Sequence, residues 1–194
     1  GFAIGVLALN EKQTNQQTGK QRIGTTVAIR MMLDKASTVR EAIEMLKNYD
    51  MDMRGNGHSN YHFFMADATG DYAIVEYTFD KDRTEPKVME VFTADDSLRC
   101  VTNFYVAPSM TGTTDGWGSS HGKDRYENLR KTLDEKKHVM KEDDAMQLLE
   151  KVSQPPTEEL TSQTQWSALY NLTEKTLRLT ILREYAKEYN FRIE

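Results

Sequence analysis

Residues 61–66 and 72–78, YHFFMA and YAIVEYT, flank the pentapeptide Asp67-Ala68-Thr69-Gly70-Asp71. Two runs rich in aromatic and β-branched residues, joined by a short polar connection containing glycine, predict an antiparallel hairpin. Further strands are predicted outward from it, at residues 87–93 and 98–102, with Asp95-Asp96 between them. Upstream, residues 1–9 (GFAIGVLAL) form an apolar run whose Ile4 and Val6 fit a strand buried on both faces. Chains seldom begin inside a core strand, so this start suggests a piece of a longer protein whose preceding part supplies neighbouring strands.

Helical patterns separate these strands. Residues 24–35 read as a helix with Val27, Met31 and Asp34 on one side and Ile29 and Leu33 on another. Thr38 and Glu41 have capping-box spacing, and Val39, Ile43 and Leu46 follow as one buried stripe. Residues 10–22 and 50–60 are polar or Gly/Asn-rich and read as loops, as does the stretch 106–122 with its four glycines. Two more helices are expected at 124–136 and 143–152, the second closed by Pro155-Pro156. Residues 166–170 and 177–182 close the pattern, with Leu177, Leu179 and Ile181 alternating at the strand period. Hairpins alternating with helix pairs place the chain in the α+β class, as a single domain over residues 1–194.

Composition narrows the function classes. The 194 residues are 38% apolar and 28% charged, enough for one buried core beneath a solvated surface. Twenty-five basic against 30 acidic side chains give a net charge of −5, which repels a phosphate backbone and argues against a nucleic-acid partner. No apolar run approaches the roughly 18 residues of a membrane span. One cysteine, Cys100, excludes an internal disulfide and a multi-cysteine zinc site, and suits a reducing cytoplasm.

Candidate chemistry is sparse. His58 and His62 are four apart, but the Gly/Asn-rich lead-in and aromatic sequel do not suit a metal-binding helix, and no acidic third ligand stands at useful spacing. Cys100 sits in a predicted strand with Arg99 directed to the opposite face, so it reads as a buried thiol rather than a nucleophile. Nucleophile elbow, Walker loop and dinucleotide fingerprint are all missing from the sequence. The Asn171-Leu172-Thr173 sequon is of the kind chance supplies. Asn103 stands where a predicted strand runs into Phe104-Tyr105, and an amide there either starts a turn or donates to a developing oxyanion. Arg125 is placed in the first turn of a predicted helix, where a cation is disfavoured unless it meets an acidic partner or ligand.

Taken in order, several blocks resemble one family: GFAIGVLALN, then TGKQRIGTTVAIRMMLDKASTVREAIEMLKNYDM, SNYHFFMADATGDYAIVEY, CVTNFY, HGKDRYENL and TQWSALYNLTEKTLRLTILREY. Together they resemble the linear amide C–N hydrolases of the N-terminal-nucleophile superfamily. That group includes choloylglycine hydrolases, penicillin V acylases and the acyl-coenzyme A:6-aminopenicillanic acid acyltransferases, the last being the nearest branch. The resemblance implies an αββα four-layer sandwich with two antiparallel sheets. It also implies attack on an amide by a cysteine at the mature N-terminus, whose own α-amine serves as base. No cofactor is implied, and the partner is a small-molecule acyl amide substrate. Exposed strand edges lend themselves to pairing between copies, as a homo-oligomer.

The resemblance implies roles residue by residue. Asn103 in VTNFY matches a strand-end Asn that donates its amide to the oxyanion. Arg125 in HGKDRYENL matches an arginine that organises charged groups around the nucleophile. Asn60, His62 and Trp166 fall in blocks that approach the site and take wall or supporting roles. A second oxyanion Asn of some relatives aligns with Ala8, while Asn10 stands two residues later. The nucleophilic cysteine, with an accompanying Arg and Asp, is expected upstream of Gly1, because Cys100 is internal and has no free α-amine. The expectation is thus the C-terminal part of an amidase or acyltransferase, inert as an isolated chain. The alternative is a non-catalytic binding or assembly module that retains the fold.

Overall fold

The turn of the central hairpin is built on one carboxylate. Asp67 accepts hydrogen bonds from the backbone N–H and hydroxyl of Thr69, at 2.8 and 2.5 Å, and Gly70 takes the left-handed conformation at φ +94°. In the computed structural model, which describes residues 1–9, 13–54, 60–79, 87–93, 98–110, 121–156 and 163–193, this turn joins β4 (Asn60–Asp67) to β5 (Tyr72–Thr78). The two strands pair antiparallel, as the sequence predicts, in a register that sets Ala66 across from Tyr72 and Phe63 across from Val75. β1 (Phe2–Leu9) and β6 (Val88–Thr93) flank the hairpin, giving an antiparallel sheet in the order β1-β4-β5-β6. The chain divides into two compact units, residues 1–124 and 125–194.

In the first unit, one face of this sheet carries the core. Phe63, Met65, Ala73, Val75 and Tyr77 pack against α1 (Thr25–Lys35) and α2 (Val39–Lys47). α1 turns toward the sheet the residues Thr25, Ala28 and Met32, leaving Val27 58% and Leu33 49% exposed. The sequence groups Val27, Met31 and Asp34 on one side and Ile29 and Leu33 on another, and leaves the buried line open. Small Ala28 wins because it lets the helix backbone approach the sheet closely, while long Met32 fills what remains. The capping of α2 is as expected at Thr38, whose hydroxyl accepts from Glu41 N, but Glu41 reaches back to Ser37, taking both its N–H and its hydroxyl at 2.8 Å. Asp67 also accepts from Val39 N at 2.8 Å, so the hairpin turn caps α2 from across the sequence.

β1 is a strand, as expected. It is the edge strand of the sheet, with Gly5 and Val6 exposed and only Leu9 fully buried, because it pairs with β4 alone among the described residues. Three short strands escape the sequence reading: the four-residue Tyr189–Arg192, and β2 (Gln21–Ile23) and β3 (Tyr49–Met51), which pair in parallel and at three residues each are too short to show a period. Asp50, within β3, accepts from the backbone N–H groups of Thr18, Gly19 and Lys20 and from the Thr18 hydroxyl. Residues 98–102 keep the burial alternation of a strand, with Cys100 and Thr102 inside, yet form no ladder. Thr102 instead donates through its hydroxyl to Gly122 O at 2.7 Å.

The division between units falls inside α3 (His121–Glu135). In the second unit, α4 (Glu142–Val152) packs on an antiparallel sheet of β7 (Trp166–Asn171), β8 (Thr176–Ile181) and β9 (Tyr189–Arg192), in that order. Arg178 of β8 ties the helix start to the chain after it, reaching Asp143 at 2.8 Å and Glu188 at 2.7 Å. Those bonds, Glu188 first, hold its guanidinium above its already high ordinary pKa. No helix among the described residues is long and apolar enough to cross a membrane.

Candidate active site

The sheet face opposite α1 and α2 in the first unit is polar at its centre. Strand alternation from Phe63 and Val75, which enter the core, sends Asn60, His62 and Glu76 to this other face. Extending the register by one residue sets His62 across from Glu76, and Glu76 in turn faces Glu90 on β6. His62 and Glu76 are fully buried, with Nδ1 of His62 2.8 Å from Oε1 of Glu76. Since that oxygen accepts, Nδ1 carries the proton, and in the neutral ring Nε2 is a bare acceptor. Nε2 has no hydrogen-bond partner among the described residues.

Residues 98–110 run across this face. Glu76 accepts from the backbone N–H of Val106 through Oε1 and from that of Ala107 through Oε2, both at 3.0 Å. Asn60 donates through Nδ2 to the Tyr105 hydroxyl, while its Oδ1 accepts from Thr14 N at 3.2 Å and Thr14 Oγ1 at 2.8 Å. Tyr105 passes its own proton on to Tyr77 O at 3.3 Å. The Ser109 hydroxyl donates to Glu90 at 2.9 Å. Beneath these bonds Leu9, Phe79, Tyr105, Ala107 and Met110 form a second apolar cluster. Asn103 lies two residues before Tyr105, half-buried, and its Nδ2 donates to Ala8 O at 2.9 Å.

Three of the candidate residues thus belong to one neighbourhood of the first unit: Asn60 and His62 at the start of β4, and Asn103 on the segment that crosses them. Ala8, the residue aligned with a second oxyanion Asn, meets Asn103 through its carbonyl, whereas Asn10 and His58 lie outside the described residues. Trp166 and Arg125 belong to the second unit. Trp166 opens β7 with 66% of its surface exposed. Arg125 is half-buried, and loss of hydration lowers its pKa from the ordinary value, although a guanidinium keeps its charge in any aqueous buffer. α3 begins at His121, three residues earlier than expected, so Arg125 stands in its second turn. The first-turn dipole argument for that residue lapses, since the helix field matters mostly over the first turn.

Cys100 is buried, 8% exposed, as its strand-like alternation suggests. Glu76 is the residue that sequence reasoning missed. A signal existed: a lone carboxylate between Val75 and Tyr77, in an otherwise apolar run, stands as far from Thr69 as His62 does. Folding the hairpin about Thr69 pairs the two.

Solved structures share this fold. The chain is similar to a mutant of the conjugated bile acid hydrolase from Clostridium perfringens, at 17% identity and TM-score 0.69, over 99% of this chain and 70% of that one. A second variant of that enzyme gives 18% identity, the same TM-score and the same coverage. Penicillin V acylase from Agrobacterium tumefaciens matches at 20% identity and TM-score 0.61, over 94% of this chain and 60% of that one. No curated protein matches the chain in sequence. The fold is that of the N-terminal-nucleophile hydrolases, α+β with antiparallel sheets. The family model described as acyl-coenzyme A:6-aminopenicillanic acid acyl-transferase matches residues 1–184, and the chain belongs to that family of amidases and acyltransferases.

Proposed function

We propose that this chain is the C-terminal part of a cysteine N-terminal-nucleophile amidase or acyltransferase that cleaves linear, non-peptide amide C–N bonds. In this reading the nucleophile lies outside these 194 residues, since Cys100 is internal and buried. The thiolate adds to the amide carbonyl, forming a C–S bond and an oxyanion. Collapse of that adduct breaks the C–N bond, the amine leaves with a proton, and water or a second amine resolves the thioester. Asn103 donates its side-chain amide to the oxyanion, and Arg125 organises charge near the sulfur. Asn60 and His62 support the segment carrying Asn103, and Trp166 offers an apolar wall to a small-molecule acyl amide.

The observation that carries this reading is the bond from Asn103 Nδ2 to Ala8 O. An amide NH2 has two hydrogens, and a fixed acceptor for one sets the direction of the other. An oxyanion donor needs such preorganisation, because it stabilises charge only if no reorientation is required during reaction. Asn103→Ala in the full-length protein is expected to lower kcat by about a hundredfold or more, with a smaller change in KM. A near-unchanged kcat in steady-state assays would remove Asn103 from the oxyanion site.

A further inference from the structure

Placing two carboxylates side by side on a sheet, Glu76 opposite Glu90, is unfavourable unless each is engaged elsewhere. Both are engaged by the same crossing segment: Glu76 by the N–H groups of Val106 and Ala107, and Glu90 by the hydroxyl of Ser109. Glu76 is 0% exposed, and its third bond comes from His62, whose ring is equally buried. A fully buried carboxylate that accepts two consecutive backbone N–H groups fixes both the height and the rotation of the chain above it. The first of those groups lies three residues beyond Asn103. Asn103 itself has its amide on Ala8 O, so the short arc from residue 103 to residue 107 is held at both ends.

We infer that Glu76, oriented by His62, is the positioning residue that holds the Asn103 amide in its donating geometry. This deepens the proposed function and rests on Asn103 being the oxyanion donor. Glu76 touches no substrate and acts through the backbone of residues 106 and 107. Its neutral isostere, glutamine, keeps the size but must turn an NH2 group toward one of three N–H donors, so at least one anchor is lost.

The test uses the full-length protein with Glu76→Gln, Asn103→Ala and the double variant. Glu76→Gln is expected to lower kcat by tenfold or more with KM changed less than threefold. Hydrogen exchange at the Val106 and Ala107 amides is expected to accelerate at least tenfold while the β4–β5 ladder stays protected. Acting through Asn103, Glu76 adds nothing once that amide is gone, so the double variant should match Asn103→Ala within about twofold. If Glu76→Gln does not fold, Glu76→Asp is read in its place: it keeps the charge but shortens the reach. Fully multiplicative losses in the double variant, or unchanged exchange at residues 106 and 107, would overturn the inference while leaving Asn103 as the donor. An Asn103→Ala protein as fast as wild type would instead defeat the oxyanion reading, and the positioning role would fall with it.

Discussion

At the scale of single residues, buried carboxylates organise this chain. Asp67 is 4% exposed and Asp50 is 2% exposed, and each closes a turn by accepting several N–H and O–H bonds. For both, burial pushes the pKa upward, but the hydroxyl and backbone N–H bonds outweigh it and hold the group below the ordinary carboxylate value. A carboxylate with a depressed folded-state pKa binds fewer protons folded than unfolded. Its stabilisation is complete above the unfolded value, near pH 4, and is lost as pH falls through the folded value. Asp67→Asn is therefore expected to cost about 2 kcal/mol at pH 7, where charged acceptors outperform neutral ones. The difference from wild type should shrink as pH drops below about 4. Urea denaturation of the two proteins across that range checks this, and a pH-independent difference would show that charge at Asp67 is irrelevant.

At the scale of elements, α1 shows how packing overrides size. Its buried line is Thr25, Ala28 and Met32, and bulky Val27 and Leu33 point outward. Hydrophobic periodicity alone cannot rank an alanine above a valine, whereas backbone proximity to the sheet does. Val27→Lys is thus expected to change stability by less than about 0.5 kcal/mol. Met32→Ala, which empties a site with 0% exposure, should cost about 2–5 kcal/mol. Thermal or chemical denaturation of both variants checks this packing, and a larger loss at Val27 than at Met32 would contradict it. The hairpin was legible for the opposite reason. Its turn chemistry is local, so Asp67, Thr69 and Gly70 dictate the reversal before any distant contact forms. β2 and β3 were not legible, because three residues carry no period and each is held by a partner far along the chain.

At the scale of the whole molecule, the proposed function makes a simple statement about this chain in isolation. Without an N-terminal thiol and its amine, the 194 residues should give no detectable turnover of any acyl amide, and Cys100→Ser should leave that baseline unchanged. Turnover by a contaminant-free preparation that survives Cys100→Ser would contradict it. The order of sequence blocks was enough to indicate the family and the α+β class, since both depend on residue types and spacings along the chain. Local rules also determined the central hairpin, the cap of α2 and the alternation that buries Cys100. Only the tertiary structure decided that β1 pairs with β4, that Ala28 rather than Val27 faces the core, and that α3 starts early enough to move Arg125 into its second turn. It alone brought Glu76 beneath Val106 and Ala107, thirty residues away, and set the Asn103 amide on Ala8 O. Hydrogen bonds across such separations depend on where the backbone passes in space, and no period or propensity along the sequence encodes that.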